Sequence, residues 1–250
     1  MDGYGPETYG DGFADIYDDW YAEPTDTDAC VARLTELARG GPVLELGVGT
    51  GRLAIPMAAG GLSVTGVDAS AAMLDRLRAK PGGERVRVVL GDMADPPVDL
   101  TDAPGATGFT LVLVAYNTFF NLTDPARQRR CLERVATLLG PGGSLVLEAF
   151  VPVDGEHRGG ALDVRAVEVD RVVLSASRHD ADRQVVSGQH VELTEAGIRL
   201  RPWQVRYLRP VQIDALAAEV GLELTGRWAG WDEESFDDTS PTHVSQYRRA

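Results

Sequence analysis

Three carboxylates and a run of glycines recur at a spacing that builds one binding edge. Glu45, Asp68, Asp92 and then Ala115 follow one another at steps of 23, 24 and 23 residues. Each step is about the length of one strand-helix unit. All four positions should therefore reach the carboxyl edge of a parallel sheet, where such folds bind ligands. The first loop reads Glu45-Leu46-Gly47-Val48-Gly49-Thr50-Gly51, and its glycines let the backbone turn tightly and approach a ligand. A dinucleotide fingerprint would read GxGxxG and seat a pyrophosphate on the helix N-terminus. Here the run is GxGxG, Arg52 takes the place of the third glycine, and Glu45 stands two positions before Gly47. A carboxylate there repels pyrophosphate and suits a ligand that carries an ammonium and a sulfonium. Asp68 can accept hydrogen bonds from two vicinal ribose hydroxyls, Asp92 from an adenine amino group, and Met93 offers the ring a polarisable face. This is chemistry for S-adenosylmethionine rather than NAD.

The elements that must position these groups are legible as short apolar strands over 43–46, 63–68, 86–90, 111–114 and 145–148. Helical patterns over 52–59, 71–80 and 125–139 alternate with them, and another helix over 28–39 precedes them. That rhythm predicts an α/β, Rossmann-like, doubly wound and mostly parallel seven-stranded sheet. It changes after the fifth strand. Strand patterns over 164–169, 172–177, 185–193 and 198–207 follow without helices between them, which predicts an inserted antiparallel sheet. A helix over 210–220 and strands over 222–229 and 243–248 complete the main sheet. Near the N-terminus Tyr9, Phe13, Ile16, Tyr17, Trp20 and Tyr21 recur at three- and four-residue spacing, the pattern of a short amphipathic helix with an aromatic face. The chain reads as one domain. Its parts are an N-terminal lid helix (1–27), a cofactor-binding core (40–150), an insertion on the substrate side (155–207) and a closing segment (208–250).

With these motifs the chain resembles class I S-adenosylmethionine-dependent methyltransferases. The stretch 43–51 resembles the family's first motif, Val67-Asp68-Ala69-Ser70 with Met73-Leu74 its second, and Gly91-Asp92-Met93 its third. The turn Leu139-Gly140-Pro141-Gly142-Gly143 is similar to the one before the family's fifth strand. The resemblance implies that Tyr17, Glu45, Gly47, Gly49, Gly51, Asp68, Ala69, Met73, Asp92, Met93 and Ala115 surround the cofactor. The aromatic N-terminus and the insertion also resemble bacterial natural-product methyltransferases that act on amino-sugar nitrogens. In those enzymes a tyrosine of the N-terminal helix reaches the cofactor, and Tyr17 matches it. Some carry a histidine after the fourth strand, where this chain has Asn121.

Methyl transfer displaces a neutral thioether, so no acid is needed and positioning supplies most of the rate. A base matters only for a protonated acceptor; Tyr17, Tyr21, Glu148, His179 and His190 are the candidates. Tyr116, Asn117 and Asn121 follow the fourth strand, where substrate should meet cofactor. The net charge of −14 lacks the basic footprint of a nucleic-acid binder. The sequence Ala115-Tyr116-Asn117-Thr118 is also not the Asn-Pro-Pro-aromatic motif of planar-nitrogen base methylases. A small-molecule acceptor with an N or O nucleophile is expected. The alternatives are a non-methylating reaction such as a cyclisation, or a cofactor-binding regulator. Cys30 and Cys131 are expected as free buried thiols. No metal is expected, because His157, His179, His190 and His243 show no ligand spacing with the cysteines. Without an apolar span or a leader pattern the protein is expected in the cytoplasm, off the membrane. Monomer and homodimer both remain open.

Overall fold

The computed structural model describes residues 1–21, 25–99, 108–153 and 159–249. His157 and the first residues of the expected insertion lie outside them. Seven strands form the main sheet: β1 (Val43–Leu46), β2 (Val64–Asp68), β3 (Arg87–Leu90), β4 (Phe109–Val114), β5 (Leu139–Phe150), β10 (Leu222–Trp228) and β11 (Thr242–Arg249). Their order is β10-β11-β5-β4-β1-β2-β3, with β11 antiparallel to both neighbours and the other pairings parallel. The expected doubly wound sheet is therefore present. Its middle strands read as unbroken apolar runs because both faces are covered. Leu44, Val112 and Leu145 belong to one buried cluster, and Val43, Leu111 and Val146 to the other.

Helices α3 (Thr27–Ala38), α4 (Ala54–Ala59), α5 (Ala71–Ala79), α6 (Pro125–Leu138) and α7 (Pro210–Ala218) cover the sheet. Side-chain caps start three of them: Asp26 accepts from Ala29 N at 3.0 Å, Ser70 from Met73 N at 3.2 Å and Asp124 from Ala126 N at 2.7 Å. Each satisfies a backbone donor that has no partner inside its helix. The glycine-proline turn after α6 lies within β5. Phe109 pairs with Leu139 and Leu111 with Ser144, so residues 140–143 are looped out of the ladder.

The insertion is a four-stranded antiparallel sheet of β6 (Gly159–Val167), β7 (Arg171–Asp180), β8 (Val185–Thr194) and β9 (Gly197–Arg206), in that order. The N-terminal segment differs from the single helix that its periodicity predicts. It folds as two short helices, α1 (Thr8–Phe13) and α2 (Tyr17–Trp20), broken where Ile16 leaves helical geometry. The break lies beside Asp15, which is held by two arginines of β9. Cys30 and Cys131 are free and buried.

Candidate active site

A cavity of about 350 Å³ opens where the carboxyl ends of β1, β2 and β4 meet the N-terminal segment and the insertion. The strand order reverses between β2 and β4 on either side of β1, which is the switch point at which doubly wound folds bind ligands. Gly47, Gly49 and Gly51 all have positive φ, at 73°, 54° and 85°. A Cβ on Gly47 would meet Thr118 Cγ2 at 2.3 Å and one on Gly51 would meet Leu77 Cγ at 2.8 Å, whereas Gly49 faces open space. Two of the glycines therefore allow close packing, and Gly49 leaves bare backbone toward the cavity. Asp68 ties the loop to α5, accepting from Gly49 N and from Ser70 N, each at 2.9 Å.

Glu45 is buried beneath the loop, and its Oε2 has no hydrogen-bond partner. Burial pushes its carboxyl up to about 8, although Arg52 pulls it down. An orphaned carboxyl below bare loop backbone fits a ligand that brings a cationic group, and Asp68 on the same edge fits a diol. The residues present thus fit S-adenosylmethionine. A carboxyl whose folded pKa is raised favours the folded state while protonated, and that advantage is lost as pH rises toward 8. Glu45→Gln should therefore flatten the decline of Tm between pH 5 and 8 in ligand-free protein. A decline equal to that of the wild type in thermal scans would show that Glu45 does not titrate there.

The N-terminal segment roofs the cavity through an aromatic chain. Tyr9 stacks on Phe13 at 4.5 Å and meets Tyr17 edge-on at 6.4 Å; Tyr17 contacts Tyr21 at 4.9 Å, and Tyr21 reaches Tyr116 at 6.2 Å. Three aspartates of this segment are held by three parts of the molecule. Asp11 accepts from Ser70 Oγ at 2.6 Å; Asp18 accepts from Thr50 Oγ1 at 2.6 Å and from Lys80 at 2.8 Å. Asp15 takes Arg201 through both oxygens, at 2.7 and 3.1 Å, and Arg199 at 2.7 Å. The Arg201 pairing holds the Asp15 carboxyl below its ordinary range. Arg201 is itself buried and also donates to Glu192 at 3.1 Å.

Tyr17, Tyr21, Gly47, Gly49, Asp68, Ala69, Met73, Asp92, Met93, Tyr116, Asn117, Asn121 and His190 line the cavity together. Burial raises the Tyr17 hydroxyl well above its ordinary value, so it stays protonated. Burial and the nearby Arg165 and Arg201 push His190 down to about 4, leaving a neutral imidazole wedged among Phe13, Trp20 and Trp203. Asp92 is paired with Arg127 at 2.7 Å. The other expected residues stand outside the lining. Gly51 and Ala115 pack beneath the loop, and His179 is engaged by the Tyr207 hydroxyl at 2.9 Å. Glu148 accepts from Trp231 Nε1 at 2.9 Å and from Tyr116 N at 2.8 Å, bordering a separate cavity of about 240 Å³. Its contacts hold Tyr116 and Asn117, two successive non-glycine residues with φ of 45° and 64°, a strained pair that needs such support. Asn117 adds to that support, with its Oδ1 accepting from Phe150 N at 2.7 Å.

Tyr4, Gly10 and Trp203 also line the cavity; Tyr4 and Gly10 are not singled out there by sequence reasoning. Gly10 lets α1 lie on the start of α5, since a Cβ there would meet Ser70 Cβ at 2.4 Å. Among the described residues no cluster of three or more His, Cys, Asp or Glu side chains is placed to hold a metal ion, and no helix is long and apolar enough to cross a membrane.

Comparison with known proteins agrees with this geometry. A family profile described as a methyltransferase domain matches residues 43–143. The cypemycin N-terminal methyltransferase of a Streptomyces species is 32% identical over 194 residues, covering 75% of this chain and 74% of that protein. The solved CcbJ methyltransferase of Streptomyces caelestis superposes with a TM-score of 0.89 at 38% identity, covering 99% of this chain and 100% of that one. The sugar N-methyltransferase KedS8 from a Streptoalloteichus species shares the fold, with a TM-score of 0.67 at 22% identity over 100% of this chain and 97% of that one. A glycine loop above a buried acid, an aspartate at the next strand end and full-length likeness to such proteins give one answer: this chain belongs to the class I S-adenosylmethionine-dependent methyltransferases and is related to those of bacterial natural products.

Proposed function

We infer that this protein transfers the methyl group of S-adenosylmethionine to an amine nitrogen of a small molecule. One observation carries the reading. The cavity joins the edge formed by Gly49, Asp68 and Asp92 to a wall made of Tyr9, Tyr17, Tyr21, His190 and Trp203. In the reading, Gly47, Gly49, Asp68 and Asp92 hold the cofactor, with Glu45 balancing its charge from below. When bound, the cofactor supplies an electrophilic methyl group. The aromatic wall excludes water and aims the acceptor, which is the main requirement for displacement at carbon.

The acceptor class follows from what the wall lacks. A phenol or alcohol acceptor needs a base to take its proton. Tyr9, Tyr17 and Tyr116 have raised pKa values and remain hydroxyl donors, and His190 at about 4 is a weak base. An amine needs no such partner, because an apolar enclosure disfavours its ammonium form and leaves the lone pair free. The phenol oxygens can accept its N–H and turn that lone pair toward the methyl. The cypemycin enzyme's name, an N-terminal methyltransferase, agrees with an amine acceptor.

Methyl-labelled cofactor offered with matched amine and phenol acceptors tests the proposal. Label should enter the amine members at rates at least about 100-fold above the phenols, the scale of a missing general base. Phenol labelling alone would reverse the assignment of the nucleophile. Rearranged but unlabelled product would indicate a cyclisation, and cofactor binding without any turnover a regulator.

A further inference from the structure

The edge strand β6 spends an extra residue beside the cavity. β6 and β7 keep step from Gly159 opposite His179 to Val164 opposite Leu174, and then Ala166, not Arg165, stands opposite Val173. Arg165 is thus the additional residue of a β-bulge, a device that re-aims a side chain and is common next to active sites. Its guanidinium lies over Trp20 at 4.6 Å and over Tyr21 at 5.5 Å. Tyr21 lines the cavity and Arg165 is exposed, so the cation stands at the cavity mouth, open to solvent. The other arginines around the site are engaged. Arg127 holds Asp92, Arg201 holds Asp15 and Glu192, and Arg52 donates to Thr25 and Thr27. Among the described residues Arg165 has neither a carboxylate nor a hydrogen-bond acceptor; its contacts are the two rings.

Two more groups of the same sheet lack partners. His190 meets the other neighbour of that cation, Trp20, at 5.4 Å. It is 7% exposed, lines the cavity, and its Nδ1 has no hydrogen-bond partner. Arg165 and Arg201 help to hold this imidazole neutral, and a neutral imidazole presents one N–H and one acceptor nitrogen. Trp203 packs beside His190 at 5.9 Å and also lines the cavity, and its Nε1, which can only donate, is buried without an acceptor. Buried polar groups are normally satisfied. A guanidinium without an acid and an indole N–H without an acceptor, on one wall, call for a ligand that brings oxygen. We propose that the acceptor carries an anionic oxygen group, a carboxylate or a phosphate, recognised at the cavity mouth by Arg165 with His190 and Trp203 beside it; this rests on the reading of the cavity as a site of amine methylation. In a chain of net charge −14, an anionic acceptor needs such a local cation to be held.

Calorimetry on the full-length protein loaded with S-adenosylhomocysteine, the demethylated cofactor, tests the proposal without turnover. The probes are two matched pairs of amines, phenylalanine with phenylalaninamide and O-phosphotyramine with tyramine. One anionic member should bind at least about tenfold tighter than its partner, the scale of charge-assisted hydrogen bonds. The first pair reports a carboxylate and the second a phosphate. Arg165→Met keeps a long side chain over the rings and should bring the ratio to about one. Arg165→Lys, a point charge without the planar fork, should keep part of it. If the methionine variant fails to fold, His190→Phe carries the test and should lower the ratio at least about threefold. Affinity for S-adenosylhomocysteine, measured alongside, reports whether the aromatic roof stays in place. A ratio that survives in Arg165→Met would overturn the proposal. So would a methionine variant that weakens both members of a pair and the cofactor equally, since Arg165 would then only clasp the N-terminal segment. Equal binding of charged and uncharged members by the wild type, or binding of none of the four, would overturn it as well. Anion-selective binding with no label passed to any amine would support this site and overturn amine methylation as the reaction.

Discussion

Replacing Asp68 with alanine should lower affinity for S-adenosylmethionine by at least about tenfold and as much as about a thousandfold. Two losses add. Hydrogen bonds from ribose hydroxyls to a carboxylate are worth roughly 1.5–3 kcal/mol each, and both would go. The same side chain also holds Gly49 N and Ser70 N, so its removal frees the glycine loop from α5. Calorimetry on Asp68→Ala and Asp68→Asn separates the two effects. Asparagine keeps one acceptor oxygen and should recover part of the affinity. An alanine variant that binds as wild type does would reduce Asp68 to a loop brace and remove it from the cofactor site.

Deleting residues 1–21 should abolish methyl transfer while a folded core with weak cofactor binding survives. The segment supplies Tyr9, Tyr17 and Tyr21 to the cavity wall, and without them water enters the site. Its apolar anchor is small: Phe13, Ala14 and Met73 form a cluster separate from the two that sandwich the sheet. Deletion also leaves the buried Arg201 without Asp15, with Glu192 as its remaining carboxylate partner. A milder variant avoids that charge imbalance in part. Asp11→Asn/Asp18→Asn releases the segment from α5 and the glycine loop while Asp15 stays on Arg201. Its turnover should fall at least about tenfold with the fold intact, as two charge-assisted contacts are lost. Full activity in both variants would make the segment packing only.

The parallel sheet and its ligand edge are legible because strands buried on both faces read as continuous apolar runs, and because strand-helix units have near-constant length. Glu45, Asp68 and Asp92 therefore fall at the ends of successive strands without any knowledge of packing. The site's other half is set by long-range contacts, which leave weaker traces. The break between α1 and α2 depends on arginines 186 positions away in the case of Arg201, so local periodicity predicts one helix. Glu148 occupies a strand end just as the other acids do. Only the indole of Trp231 and the backbone of Tyr116 show that it braces a kink. Trp203 packs over Gly188, which leaves room for the indole, a Cβ there meeting the ring at 2.4 Å. The sequence contains both Gly188 and Trp203, but no local pattern shows that one covers the other.

The three aspartates of the N-terminal segment also fix an order of events during synthesis. The segment leaves the ribosome well before β9, so Asp15 has no guanidinium to hold until Arg199 and Arg201 have followed, the latter 186 residues later. Domains generally gain structure from the N-terminal side as they emerge, and contacts between distant positions form late. The roof of this cavity is thus translated before the strand that holds it and docks after that strand has formed. A nascent chain truncated before β9 should carry a formed glycine loop under an open top, and the complete pocket should exist only once the inserted sheet has closed.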